Sequence, residues 1–140
     1  MMNQVVYVSR GGNTEKLAKA VAKGAGAEAV PAERFRAADD VGTLFVGASI
    51  YAGSIDGKLR PVLESLRPEK VGRVVVFGTS AGNKTALAEI RSVLEPRGVA
   101  VADEEFHCRG SFLFVNRGRP NEEDLRVAEA FAKKICGGQA

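Results

Sequence analysis

The chain of 140 residues contains no tryptophan, only two tyrosines, two cysteines and a single histidine. Each shortage excludes something. Cys108 and Cys136 are too few for a disulfide framework. One histidine, His107, without any Cys-x-x-Cys pair argues against a zinc site. His107 and Cys108 are neighbours, but adjacent strand residues point to opposite faces, so they are no ligand pair. No apolar run approaches the roughly 20 residues a membrane helix needs. Runs of lysine or arginine are absent too, and a net charge of +3 is not the clustered excess of a nucleic-acid binder. Met1-Met2-Asn3-Gln4 leads directly into Val5-Val6-Tyr7-Val8, without the basic start, apolar stretch and cleavage site of a signal peptide. A cytoplasmic location is the expectation.

What is present is an alternation. Hydrophobic residues make up 45% and charged residues 26% of a length that suits one domain spanning 1–140. Five β-rich runs are expected: Val5 to Ser9, Ala27 to Val30, Leu44 to Ser49, Arg73 to Phe77 and Val99 to Cys108. The runs at 5–9 and 44–49 are nearly all apolar, as in strands buried on both faces. Helical spacing falls between them. Leu17, Ala18, Val21 and Ala22 share one face from Thr14 to Gly24. Leu59, Val62, Leu63 and Leu66 mark a second helix, and Leu87, Ile90 and Leu94 a third. Asn121 caps a fourth, and Glu122, Glu123 and Asp124 favour its positive end. The stretch from Glu33 to Asp40 reads as loop. This pattern predicts an α/β fold: a three-layer, doubly wound, five-stranded parallel sheet. Ligands of such sheets sit beyond the carboxyl ends of the strands, where strand order reverses. Chemistry is therefore expected in the loops after Ser9, Ser49 and Phe77.

The first loop reads Ser9-Arg10-Gly11-Gly12-Asn13-Thr14 and opens a helix. Its glycines let backbone N–H groups close around an anion, and the helix end adds unpaired donors and partial positive charge. Ser9, Asn13 and Thr14 add donors that remain neutral. An ordinary turn capped by Thr14 is the plainer alternative, which the strand–loop–helix setting disfavours. No Lys-Ser/Thr pair follows, so this is no Walker A loop, nor is it Gly-x-Gly-x-x-Gly.

The loop resembles the FMN-phosphate loop of flavodoxins, Ser/Thr-x-Thr/Ser-Gly-Asn-Thr. Only Gly11 departs, where a hydroxyl is usual, and Arg10 is a candidate to offset that loss by charge. Gly47-Ala48-Ser49-Ile50-Tyr51-Ala52-Gly53-Ser54 is similar to the flavodoxin segment that runs beside the flavin ring. The resemblance implies that Tyr51 packs against the ring and that the backbone at Ala52-Gly53 bonds flavin N5. Ser49 and Ile50 would border it. The third loop, Gly78-Thr79-Ser80-Ala81-Gly82-Asn83, matches the segment along the pyrimidine side but lacks an aromatic. Its amides at Thr79, Ser80, Ala81 and Gly82 are the expected contacts. The resemblance continues through Phe106-His107-Cys108-Arg109-Gly110 and Arg119-Pro120-Asn121-Glu122-Glu123-Asp124-Leu125.

What this resemblance implies is a flavoprotein that carries electrons on FMN and needs no acid, base or nucleophile of its own. No cation is expected near flavin N1, which would lower the potential. Redox partner proteins are expected, acidic ones included, on a monomer or weak dimer. Arg109, Arg117 and Arg119, with Phe112, Leu113 and Phe114, form a basic segment suited to an acidic partner or a phosphorylated substrate. Two alternatives stay open. One is an FMN-dependent oxidoreductase, a quinone reductase or a relative of the flavodoxin-like protoporphyrinogen oxidases, which the 47–51 stretch also resembles. The other is a flavodoxin-fold module that binds without FMN.

Overall fold

A computed structural model describes residues 2–51, 53–110 and 116–137, with the side chain of Tyr51 outside that set. Five strands form a parallel sheet: β1 (Met2–Tyr7), β2 (Ala29–Pro31), β3 (Val41–Tyr51), β5 (Val71–Ser80) and β6 (Val101–Arg109). Their order across the sheet is β2-β1-β3-β5-β6, and the short β4 (Ser54–Ile55) pairs antiparallel with β3. Four helices complete the layers: α1 (Asn13–Ala25), α2 (Arg60–Ser65), α3 (Leu87–Leu94) and α4 (Glu122–Gly137).

The central strands are buried on both faces, and alternation assigns their side chains to two cores. Val6, Leu44, Val46, Val74 and Val76 pack with Leu63, Ile90 and Leu94 on the α2/α3 face. Val5, Phe45, Val75 and Phe77 pack with Leu17, Val21, Ala128 and Ala132 on the α1/α4 face. Phe77 is fully buried, and it lies over Gly47, where any Cβ would stand 2.4 Å from its ring. The glycine is therefore a spacer that lets the ring cross the neighbouring strand.

Several boundaries differ from the sequence reading, for one reason. Each strand reaches as far as it has a neighbour to bond. The first strand ends at Tyr7, so Ser9 belongs to the loop rather than to the strand. The third runs from Val41 to Tyr51, because Ile50 pairs with Ile55 and Tyr51 with Ser54. The stretch after Ser49 is thus a hairpin rather than an open loop, and β4 was not anticipated. The fourth parallel strand runs from Val71 to Ser80, which places Gly78, Thr79 and Ser80 in the sheet, paired with His107, Cys108 and Arg109. The last strand begins at Val101, not Val99, and ends at Arg109, not Cys108. The segment 33–40, read as loop, opens with a short 3₁₀ turn, Ala32–Arg34.

Strand order reverses between β1 and β3. The chain leaves β1 for α1 on one face and leaves β3 for α2 on the other, so a crevice opens there at the carboxyl ends. The glycine-bearing loop, the β3–β4 hairpin and the end of β5 all meet at this edge.

Candidate functional site

The loop after β1 turns sharply into α1. Gly12 is the N-cap, at a φ of 89° that only glycine adopts without strain, and its carbonyl accepts the first helical bond from Lys16 N. Gly12 N in turn donates to Ser9 Oγ at 3.1 Å. The amides of the first helical turn have no partner within the helix. A Cβ at Gly11 or Gly12 would meet nothing within 4 Å, so the space in front of the loop is open. Glu15 stands in that first turn, but its carboxylate accepts from the buried Tyr7 hydroxyl at 3.2 Å and pairs with Lys19 at 3.8 Å. Burial, and then Glu15, push the Tyr7 phenol above its ordinary pKa.

Beneath the loop lies a cluster of hydroxyls. Thr14, Ser49 and Thr79 come from α1, β3 and β5, and all three are buried. Thr14 Oγ1 is hydrogen-bonded to Ser49 Oγ and lies 3.1 Å from Thr79 Oγ1. Strand register creates the pairing, since Ser49 and Thr79 are direct neighbours across β3 and β5. Asn13 packs toward Gly110, where a Cβ would come within 3.1 Å of its amide nitrogen. The donor set around the opening is thus uncharged hydroxyls, a carboxamide and the amides of a helix start, a set that fits an oxyanion.

Arg10 bridges this loop to the next. Its Nε bonds Asp56 Oδ2 at 2.6 Å, and Lys58 N bonds the other carboxylate oxygen at 2.9 Å. The Lys58 amide, together with Arg10, holds the buried Asp56 carboxyl below its usual range. Arg10, the candidate to offset Gly11, is thus held at Nε by a buried carboxylate. The ion pair clamps the first loop to the turn that precedes α2 and borders a cleft of about 310 Å³.

The β3–β4 hairpin is braced from the other side. Gly53 has a φ of 82°, and its carbonyl accepts from Lys84 Nζ. Glu89 on α3 accepts from Ser54 Oγ at 2.8 Å and from Ile55 N at 3.0 Å. Ile50 is half-buried against the α2/α3 core. The side chain of Tyr51, and Ala52, lie outside the described residues.

Thr79 and Ser80 are buried, and Ala81 and Gly82 form the turn beyond them. Thr79 contributes its hydroxyl to the cluster rather than an exposed amide. Sequence reasoning missed the residues that hold this turn. Arg109 Nη1 donates to Ala81 O at 3.0 Å, and its other amino group reaches Asn83 Oδ1. His107 Nε2 lies 2.7 Å from Ser80 Oγ. A cation thus stands behind the third loop. Parallel pairing of β5 with β6 brings it there, so the only sequence signal is the two-residue alternation of His107 and Arg109. Burial lowers the His107 pKa even though Glu105 opposes it. Cys108 points to the opposite core, where burial raises its thiol to about 11.

Arg119, expected on a docking surface, is paired within the chain. It forms a two-point pair with Asp124 at 2.6 and 2.7 Å. Asn121 and Asp124 exchange bonds at 2.8 and 2.9 Å, the reciprocal cap of α4. Phe112, Leu113 and Phe114 lie outside the described residues. Among the described residues no helix is long and apolar enough to cross a membrane, and no His/Cys/Asp/Glu group could hold a metal ion.

A family model described as a flavodoxin domain matches residues 4–114. Similar solved structures include a flavodoxin from the domain Archaea, at 18% identity and a TM-score of 0.73, with 99% of this chain and 98% of that one covered. A short-chain flavodoxin associated with a non-canonical PDU bacterial microcompartment gives 20% identity and 0.74 over all of both chains. The rubredoxin:oxygen oxidoreductase of the anaerobe Desulfovibrio gigas gives 16% identity and 0.74, with 98% of this chain covering 35% of that longer one. No curated protein matches the chain.

Proposed function

The chain belongs to the flavodoxin domain family, and from that premise we propose that it binds FMN at the carboxyl edge of the sheet and carries electrons between redox partners. One observation carries this reading. The buried Thr14–Ser49–Thr79 hydroxyl cluster lies at the start of α1, next to a loop whose Gly11 and Gly12 border open space, and every side-chain donor of the cluster is neutral. Such a set holds a phosphate by hydrogen bonds alone.

Bound FMN would supply the redox chemistry. The protein's own residues bind and orient. The first loop anchors the phosphate end through Ser9, Gly11, Gly12, Asn13 and Thr14. The hairpin at Ser49, Ile50, Tyr51, Ala52 and Gly53, braced by Lys84 and Glu89, flanks the ring. Ser80, Ala81 and Gly82 line its pyrimidine half. No side chain is required as acid, base or nucleophile.

Electron carriage is favoured over turnover of a small substrate by the edge itself. Lys58, Lys84 and Arg109 border the three loops, and none of them has an ion-pair partner among the described residues. A cationic rim suits docking of an acidic protein, whose association it would accelerate at low salt.

Reconstitution tests the reading. FMN added to the purified chain is expected to bind with submicromolar affinity, and riboflavin much more weakly, because the phosphate is the anchor. Equal affinity for the two ligands would contradict the phosphate anchor, and no binding of either would end the proposal. Once loaded and reduced, the protein should pass electrons to ferricyanide faster than to hexaammineruthenium(III) at low salt, and added salt should close the gap.

A further inference from the structure

The third loop has no side chain able to grip a ring, yet side chains outside it decide which way its peptides face. Ala81 O accepts from Arg109 Nη1 at 3.0 Å and from Asn116 Nδ2 at 3.2 Å. Ser80 Oγ donates to Gly82 O at 2.8 Å. A carbonyl can only accept, so the single proton of Ser80 is spent on Gly82, and His107 Nε2 must donate to Ser80. Two successive carbonyls are therefore held by groups of β5, β6 and the segment after it. Both peptides are trans, and in a trans unit the N–H points opposite to the C=O. The amides of Gly82 and Asn83 consequently point away from those groups. Both residues are exposed, and a Cβ at Gly82 would meet nothing within 4 Å.

We infer that His107, Arg109 and Asn116 are positioning residues that turn the third loop into a two-amide donor site for the carbonyl edge of a bound flavin. The inference rests on the FMN reading and deepens it. It assigns to three residues outside the loop what an aromatic side chain does not do here. Reduction adds negative charge to the flavin, and two preset donors backed by the Arg109 guanidinium favour the more negative form. His107 serves as a donor, which requires the neutral ring to carry its hydrogen on Nε2.

The test uses the full chain loaded with FMN, with Arg109→Met as the main variant. Loss of the hold is expected to weaken reduced FMN about tenfold more than oxidised FMN, which lowers the two-electron midpoint potential by about 30 mV. The affinity ratio of FMN to riboflavin should stay at the wild-type value, since the first loop is untouched. Amide resonances of Gly82 and Asn83 should move on FMN addition in the wild type and move less than half as far in the variant. Arg109→Lys keeps a charge but loses the two-point hold, and should recover only part of the potential. Asn116→Ala removes the second donor to Ala81 and carries the same test should Arg109→Met fail to fold. Nitrogen resonances of His107 at neutral pH should show hydrogen on Nε2 and none on Nδ1. An unchanged potential with unchanged amide shifts, in a variant that still binds FMN, overturns the inference and leaves the FMN reading standing. Absence of hydrogen on Nε2 removes His107 from it. A wild-type chain that takes up no FMN overturns both.

Discussion

The first and third loops lie on the same edge of the sheet and are built in opposite ways. The first makes its own site. Gly12 supplies the turn, Ser9 caps it from three residues away, and α1 presents its amides, all within about six residues of sequence. The third is held from a distance. Its Ala81 carbonyl is oriented by Arg109, 28 residues on, and by Asn116, 35 residues on. A self-made site is robust to changes elsewhere and fragile to changes within it. A site held from outside should show the reverse.

The sharpest way to break this contrast is within the first loop. Gly12→Val forces a β-branched residue into a φ of 89°. It should cost FMN about a hundredfold in affinity, roughly 3 kcal/mol, and barely affect riboflavin. A loss shared equally by the two ligands, read by fluorescence titration, would mean that the loop does not hold the phosphate.

Thr14→Val comes next. It removes the hub of the hydroxyl cluster and leaves Ser49 and Thr79 3.5 Å apart without their shared partner. Removing that hydroxyl should weaken FMN binding by about tenfold and lower the thermal midpoint by a few degrees, from about 1–2 kcal/mol of lost hydrogen bonding. Gly11→Ser works in the other direction. It should restore the hydroxyl usual in the family and tighten FMN binding by about 0.5–1.5 kcal/mol, roughly two- to tenfold. Isothermal titration reads both, and a Gly11→Ser chain no tighter than wild type would show that the site needs no further donor.

The smallest effect concerns acid. Asp56 and Asp124 clamp the first loop and the start of α4, and both have folded pKa values below the ordinary carboxylate value. Their contribution to stability is present above the unfolded value of about 3.9 and is lost as pH falls through the lowered folded values. Urea midpoints should therefore fall as pH drops below about 4, and less so in Asp56→Asn, whose titrating group is gone. Equal acid sensitivity in that variant would remove Asp56 from the account.

The local parts of this molecule were legible from residue order. Alternating apolar runs and helical spacing announced a parallel α/β sheet, because burial on both faces leaves an apolar strand and burial on one leaves an amphipathic helix. Gly11-Gly12-Asn13-Thr14 between them marked the turn into α1, and Asn121 marked the cap of α4. The strand ends were not legible. Ile50, Tyr51, Thr79 and Ser80 look like loop residues until Ser54–Ile55 and β6 supply bonding partners.

The chain's residue order by itself determined the layered fold, its two-faced core and a neutral loop at a helix start, since each depends on neighbours a few positions apart. Only the tertiary structure decided how the side chains of the edge are used. It claimed Arg10 for Asp56 across 46 residues, joined Thr14 to Thr79 across 65, and set Arg109 behind the third loop. The physical reason is register: parallel strands bring residues together according to how crossovers align them, and that alignment is settled by packing the whole sheet.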